Sequence, residues 1–167
     1  NNSSNGNLEM IYLLGADEFQ VEKISNCFVV YQGHHGDVGA KNADVILPGA
    51  AYTEKDATYV NLEGKVQRAS KVTFPPNEAR EDWTIIRALS SVINSPLPFN
   101  NIIELRKLME TEHPSFSIID LFQPQDWKTF GVEGVINNSS LDFSIRDFFM
   151  TNSIARASQT MSLCKNE

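Results

Sequence analysis

His34-His35-Gly36-Asp37 places two imidazoles and a carboxylate in one short run, and these are donor types that bind divalent metals. Adjacent residues on a strand or loop generally point to different sides, so neighbouring histidines rarely share an ion. No further ligand follows at a spacing such as His-Glu-x-x-His. The expectation is a hydrogen-bonded histidine pair in a glycine turn, with no metal ligand assigned. Gly33-x-x-Gly36-x-x-Gly39 follows an apolar run, which is the setting of a phosphate-binding loop. It lacks the Gly-x-Gly-x-x-Gly spacing, and no Gly-Lys-Ser/Thr element is present, so turn geometry is the expected role.

Glu54, Asp56 and Glu63 are the acids that could move protons as a pair. Nothing in their spacing sets two of them across one substrate, and solvated or capping carboxylates are expected. No Gly-x-Ser-x-Gly elbow supports a serine nucleophile. Cys27 opens an apolar run and reads as core packing, because buried cysteine behaves as a small hydrophobe. Cys164 lies near an end expected to fray. Two cysteines so far apart are neither a disulfide framework nor a cluster motif, and a reducing compartment is the simplest reading. On these residues alone, no catalytic, cofactor-binding or metal position is assigned.

The elements that must position them are mostly short. Leu8–Leu14 is a near-continuous apolar run ending at Gly15-Ala16-Asp17, which suits a strand buried on both faces of a parallel sheet. Cys27–Tyr31 repeats the pattern and ends in the glycine turn, where Asp37 or a neighbour is placed to cap a helical turn over Val38–Lys41. Ala43–Leu47 is a third strand, stopped by Pro48-Gly49. Intervals long enough for crossovers predict α/β architecture, a partial doubly wound and mainly parallel sheet with helices. Thr58–Asn61 and Lys65–Gln67 flank a glycine loop and predict a β-hairpin. Asn77 is a candidate N-cap for a helix carrying Trp83, Ile86, Leu89 and Ile93 on one face, ended by Asn94-Ser95-Pro96. A second helix runs from about Asn100, with Ile102, Leu105 and Leu108 inward, to His113-Pro114.

Ser115–Asn138 shows no period. Phe143, Ile145, Phe148, Phe149 and Met150 then give an apolar tail that needs a surface to pack on, followed by one short helix through Ile154, Ala157 and Met161. The expected division is a flexible lead-in over 1–7, an α/β portion over 8–94, a helix and irregular segment over 95–142, and an extended C-terminal tail over 143–167. A net charge of −7 and scattered cations such as Lys65, Arg68 and Lys71 argue against a nucleic-acid partner. No apolar run approaches the roughly 18 residues of a membrane span. Sequons at Asn1, Asn2, Asn137 and Asn138 fall in Asn/Ser-rich stretches where they arise by chance, and they carry little weight.

The run Phe28-Val29-Val30-Tyr31-Gln32-Gly33-His34-His35-Gly36-Asp37-Val38-Gly39-Ala40 leads into Ala43–Lys55, then Ala57–Asn61 and Glu63-Gly64. In that order these runs resemble the large iron–sulfur subunit of mitochondrial respiratory complex I and its alphaproteobacterial relatives. Ala79–Trp83, Ile85–Ser90, Asp147-Phe148, Met150-Thr151 and Arg156–Met161 extend the resemblance. The Ala-Asp-Val-Ile-Leu-Pro … Glu-Lys … Asn-x-Glu-Gly pattern is also similar to the molybdopterin oxidoreductase superfamily.

The resemblance implies an α/β domain that is a relic without molybdenum. It also implies iron–sulfur clusters held by cysteine sets in the subunit's N-terminal half, which this chain lacks, so none is expected here. The start of the α/β domain is missing too, and its first strands are expected from another chain or from further residues. The implied role is a structural module, inactive alone, of an enzyme that passes electrons from NADH to ubiquinone. The implied partners are the N-terminal part of the same subunit and other matrix-arm subunits. The implied place is the matrix side of the mitochondrial inner membrane, with no span of its own. The alternative is a stand-alone molybdopterin- or nucleotide-binding oxidoreductase fragment, which needs a pterin pocket that these residues do not spell out.

Overall fold

A computed structural model describes residues 8–16, 27–122, 131–135 and 147–165. Three short strands, β1 (Met10–Leu14), β2 (Phe28–Gly33) and β3 (Val45–Pro48), pair in parallel in the order β1-β2-β3. The register sets Met10 opposite Phe28, Val30 opposite Val45 and Gly33 opposite Pro48. Two further strands, β4 (Ala57–Val60) and β5 (Val66–Ala69), form a separate antiparallel hairpin. This is the predicted class, a parallel sheet with helices plus a hairpin.

The pleat alternates side chains across the sheet. Val29 and Tyr31 of β2 join Leu13 of β1 on one face, at 4%, 2% and 7% exposure, and Ile11, Cys27, Ala40 and Ala43 pack around them. Ala40 belongs to α1 (Val38–Lys41), capped as expected by Asp37, whose Oδ1 accepts from the Val38 amide at 2.8 Å. Val30 and Gln32 point to the opposite face.

The strands were expected to be buried on both faces; β2 is, from Val29 to Gln32, but among the described residues β1, β3 and the start of β2 are not. Met10, Leu14, Ile46, Phe28 and Val45 are all exposed, because too few elements cover so small a sheet. Pro48 is the last residue of β3 rather than its stop. It is tolerated because alternate residues of β3 turn to β2: Gly49 N–H donates to Gly33, so Pro48 faces the outer edge, where no donor is needed.

The hairpin loop is held by Asn61, whose Oδ1 accepts from the Glu63 and Lys65 amides, and Gly64 turns it at φ +80°. Helix α2 (Asp82–Val92) starts later than Asn77 suggested. Asn77 sits at φ +46°, and the backbone that follows is used elsewhere: Arg80 N–H donates to Pro48, and the Arg80 carbonyl accepts from Ala50. A segment bridging to the sheet cannot also form a helical turn. Of the predicted inner face, Trp83 and Ile86 are half-buried, while Leu89 and Ile93 are exposed. Phe99 lies 6.3 Å from Trp83, ring centre to ring centre.

Helix α3 (Ile102–Glu112) is capped by Asn101, whose Oδ1 accepts from the Glu104 amide, while Glu104 reaches back to the Asn100 amide. A 3₁₀ turn over Pro114–Ser117 and a bridge from Ile119 to Val66 give order to part of the region without a period. The tail holds two short helices instead of one, α4 (Ser153–Ala157) and α5 (Gln159–Cys164). Ser158 breaks them: its backbone is extended, and its hydroxyl caps α5 by accepting from the Met161 amide. The lead-in over 1–7, Phe143 and Ile145 lie outside the described residues, as do the sequons.

Candidate functional site

In open parallel α/β sheets, ligands gather at the carboxyl ends of the strands. Here the turns after β2 and β3 border an open groove lined by His34, His35, Gly49, Glu54 and Glu78 among others. Hydrogen-bonded histidines were expected in this turn, and a bend after β2 brings both rings together, with Nδ1 atoms 2.6 Å apart and the ring planes at 85°. At that separation one ring nitrogen donates to the other, and the tautomers decide which. Asp37 does not join them, because it caps α1. Among the described residues, no group of three or more His, Cys, Asp and Glu side chains is placed to hold a metal.

The glycines of the turn have a packing role. A Cβ on Gly33 would fall 2.6 and 2.8 Å from ring carbons of Tyr31, and one on Gly39 would fall 2.8 Å from both that ring and the Ala16 carbonyl. Gly33 and Gly39 therefore make room for Tyr31, whose hydroxyl donates to the His35 carbonyl at 3.0 Å. The loop wraps its own tyrosine rather than an open cradle.

The three candidate acids are separate, and each serves local structure. Glu54 accepts from the Ala51 amide at 2.9 Å, and Asp56 accepts from the Lys71 amide at 3.0 Å. Glu63 accepts from the Asn61 side-chain amide at 3.2 Å, within the hairpin loop. Cys27 is half-buried against the core cluster, and Cys164 is half-buried at the end of α5.

Two constellations escaped sequence reasoning. The first crosses the sheet face opposite α1. The Tyr12 hydroxyl donates to Gln32 Oε1, and Gln32 Nε2 donates to Asp82 Oδ1 at 2.9 Å. Asp82 Oδ2 takes an ion pair from Lys55. Gln32 is fully buried, and this chain satisfies both ends of its amide. Gly49 leaves Asp82 room to approach, since a Cβ there would sit 3.0 Å from Oδ1. Burial, aided by the Asp82 charge, raises the Tyr12 hydroxyl above its ordinary pKa and keeps it a neutral donor. A polar residue inside the apolar run of β2 was the available signal.

The second constellation ties the tail to the turn. Arg156 of α4 pairs through Nε with Asp37 Oδ2 and donates from Nη1 to the Met150 carbonyl at 3.2 Å. The arginine hydrogen bond holds the Asp37 carboxyl below the usual range, opposed by partial burial and aided by the Val38 amide. Lys165, 3.0 Å from Asp147, likewise lowers that carboxyl, whose other oxygen accepts from the Phe149 and Met150 amides. Chemically, these groups fix loops to one another. They do not converge on a point where a substrate atom could react.

Residues 1–92 match the molybdopterin oxidoreductase family, and residues 112–164 match the C-terminal family of the NADH-ubiquinone oxidoreductase G-subunit. The chain is 44% identical, over 98% of its length, to the NADH-ubiquinone oxidoreductase 75 kDa subunit of Reclinomonas americana. It is 46% identical, over 93% of its length, to the mitochondrial 78 kDa subunit of Candida albicans. It is 40% identical, over 94% of its length, to the NADH-quinone oxidoreductase G-subunit of Rickettsia felis. It spans 24%, 23% and 23% of those relatives, so it is similar to about a quarter of each.

Proposed function

The chain belongs to the molybdopterin oxidoreductase family, and from that premise we propose that it is a non-catalytic structural module of the large iron–sulfur subunit of respiratory complex I. The observation that carries this reading is the uncovered sheet. Purely parallel sheets occur almost only with both faces covered. Here Met10, Leu14, Phe28, Val45 and Ile46 are exposed on three short strands. Surface of this kind is completed by other protein, and the names of the relatives point to which protein. The partners are the remainder of the same subunit and other subunits of the peripheral arm, on the matrix side of the mitochondrial inner membrane. Among the described residues, no helix is long and apolar enough to cross a membrane.

The family premise raises a molybdenum–pterin cofactor, and the carboxyl-end groove is where it could be sought. A phosphorylated pterin is anionic. The groove presents Glu54 and Glu78 with no lysine or arginine among its lining residues. The space beside Tyr31 that glycines could have opened to a phosphate is filled by the tyrosine itself. These residues do not fit the group, and no step is routed through it. Cys27 and Cys164 are too few for a four-cysteine cluster, so iron–sulfur centres belong to other parts of the subunit. What the chain supplies is rigidity, which electron transfer between fixed centres needs.

The test is native-gel separation of solubilised membranes, with mass spectrometry of this chain in each band. Migration with the NADH-oxidising complex is the expected result. Migration only as a small soluble species carrying its own cofactor overturns the reading.

A further inference from the structure

Arg106 of α3 is a half-buried cation without a counter-charge. Its Nη2 donates to the Ala57 carbonyl of β4 at 3.3 Å, a long bond. Its Nε–H is closed to solvent and has no acceptor, and among the described residues no carboxylate pairs with it. A guanidinium fork matches a carboxylate, and a buried N–H left unmatched bears its full desolvation cost. Arg106 stands in the wall of an open cavity of about 270 Å³, bordered by α3, the start of α2 and β4. Tyr59, Trp83, Ile102, Leu105 and Met109 give that cavity apolar walls. The acids beside it are already engaged. Asp82 is held by Gln32 and Lys55, and Glu81 accepts from Trp83 Nε1 at 2.9 Å and faces Lys71 at 3.5 Å. Asp56 accepts from the Lys71 amide at 3.0 Å.

We propose that this cavity binds a small amphipathic monocarboxylate, with its acid on the Arg106 fork and its apolar body against Trp83 and Met109. The site goes beyond the structural role proposed above and does not depend on it. It shares no lining residue with the groove at the carboxyl ends of the strands. Its volume falls just below the roughly 300–1,000 Å³ of pockets for drug-sized ligands, which suits a body of about the size of octanoate. One acid group is specified rather than two, because Lys55 is already matched by Asp82 and Arg106 alone is left over. A second anionic group would meet Asp56, Glu81 and Asp82, so dicarboxylates and phosphates are disfavoured. The long bond to Ala57 gives up little when the fork turns to the ligand. The carboxylate then supplies the acceptor that Nε lacks, and the apolar walls supply burial.

Photolabelling of the native chain tests this. Isolated membranes are labelled with an octanoate analogue carrying a diazirine at its far end, then solubilised and resolved on a native gel. Mass spectrometry locates adducts on the chain in whichever band holds it. Adducts are expected on β4, the start of α2 and α3, beside Tyr59, Trp83 or Met109. Excess octanoate lowers them by about tenfold or more, and octanol at the same concentration by less than about twofold, because only the acid engages the fork. Equal displacement by octanol overturns the carboxylate. No adduct on the cavity, while other proteins of the same membranes are labelled, overturns the site and leaves Arg106 to a carboxylate of neighbouring protein. Arg106→Gln lowers the octanoate-sensitive adducts by about tenfold, and Arg106→Lys, which keeps the charge without the fork, lowers them less. Unchanged labelling in Arg106→Gln overturns the assignment of that residue. The competition uses the unaltered chain, so it decides the proposal even where a variant fails to fold. The band is read separately: a chain outside the complex overturns the structural role, and the labelling still decides the ligand.

Discussion

Gln32 is the residue on which most local chemistry depends. Both ends of its amide are bonded and it is fully buried, so its removal strands two partners at once. Gln32→Leu is expected to lower stability by about 2–4 kcal/mol in urea denaturation, because buried polar groups left unpaired carry their full desolvation cost. Tyr12→Phe, which deletes one hydroxyl, is expected to cost about 1 kcal/mol. The Tyr12 pKa is raised in the fold, so its contribution is complete below the ordinary tyrosine pKa and is lost as pH rises through the folded value. An alkaline titration of stability should therefore be flatter in Tyr12→Phe than in the parent. Gly33→Ala meets the Tyr31 ring and is expected to cost about 1–3 kcal/mol. Adding Tyr31→Leu to Gly33→Ala should cost less than the sum of the two changes made singly, since the smaller side chain vacates the space.

Helix and strand ends show where local signals competed with longer-range bonds. Asn101 caps α3, close to the start at about Asn100 read from the sequence, and Asn101→Ala should cost about 1 kcal/mol. Asn77 carries a similar local signal and does not cap α2, because Arg80 is drawn into a bridge with Pro48 and Ala50. Sequence could place the hairpin, α1 and the strands, since apolar runs and turn glycines are short-range features. It could not place that bridge or the break at Ser158, because both depend on which distant backbone groups are already bonded. The tail helix α4 is held through Arg156 and Asp37, far apart in the chain. The Asp37 pKa is depressed in the fold, so the contact contributes fully above the unfolded carboxyl value of about 4 and is lost as pH falls through the folded value. Proteolytic release of the tail should increase with acidification, and Asp37→Asn should make it less sensitive to pH.

At the scale of the molecule, the core among the described residues is small, with Leu13, Val29 and Tyr31 forming the cluster beneath the sheet. Large apolar side chains beyond the sheet are exposed as well, among them Phe74, Ile103 and Phe148. A surface like this marks contact with other protein. Expressed without the rest of the subunit, the chain is expected to associate or be degraded. Co-expression should raise the recovered monodisperse fraction, read by size-exclusion chromatography. Equal recovery in both cases would count against a module that others must cover.

Apolar runs, glycine turns and ordered motif matches determined the α/β class, the hairpin and the family, because those depend on residues near one another in the chain or on their order along it. The edge-on ring geometry of His34 and His35, the buried Tyr12–Gln32–Asp82–Lys55 network and the tie from Arg156 to Asp37 were decided only by the tertiary structure. Each of the two long-range contacts joins residues from separate elements, and the histidine pair depends on one bend in the backbone. The outward turn of Pro48, which lets β3 tolerate a proline, has the same origin. It is a matter of which way alternate peptide groups face, and that direction exists only once the strands have paired.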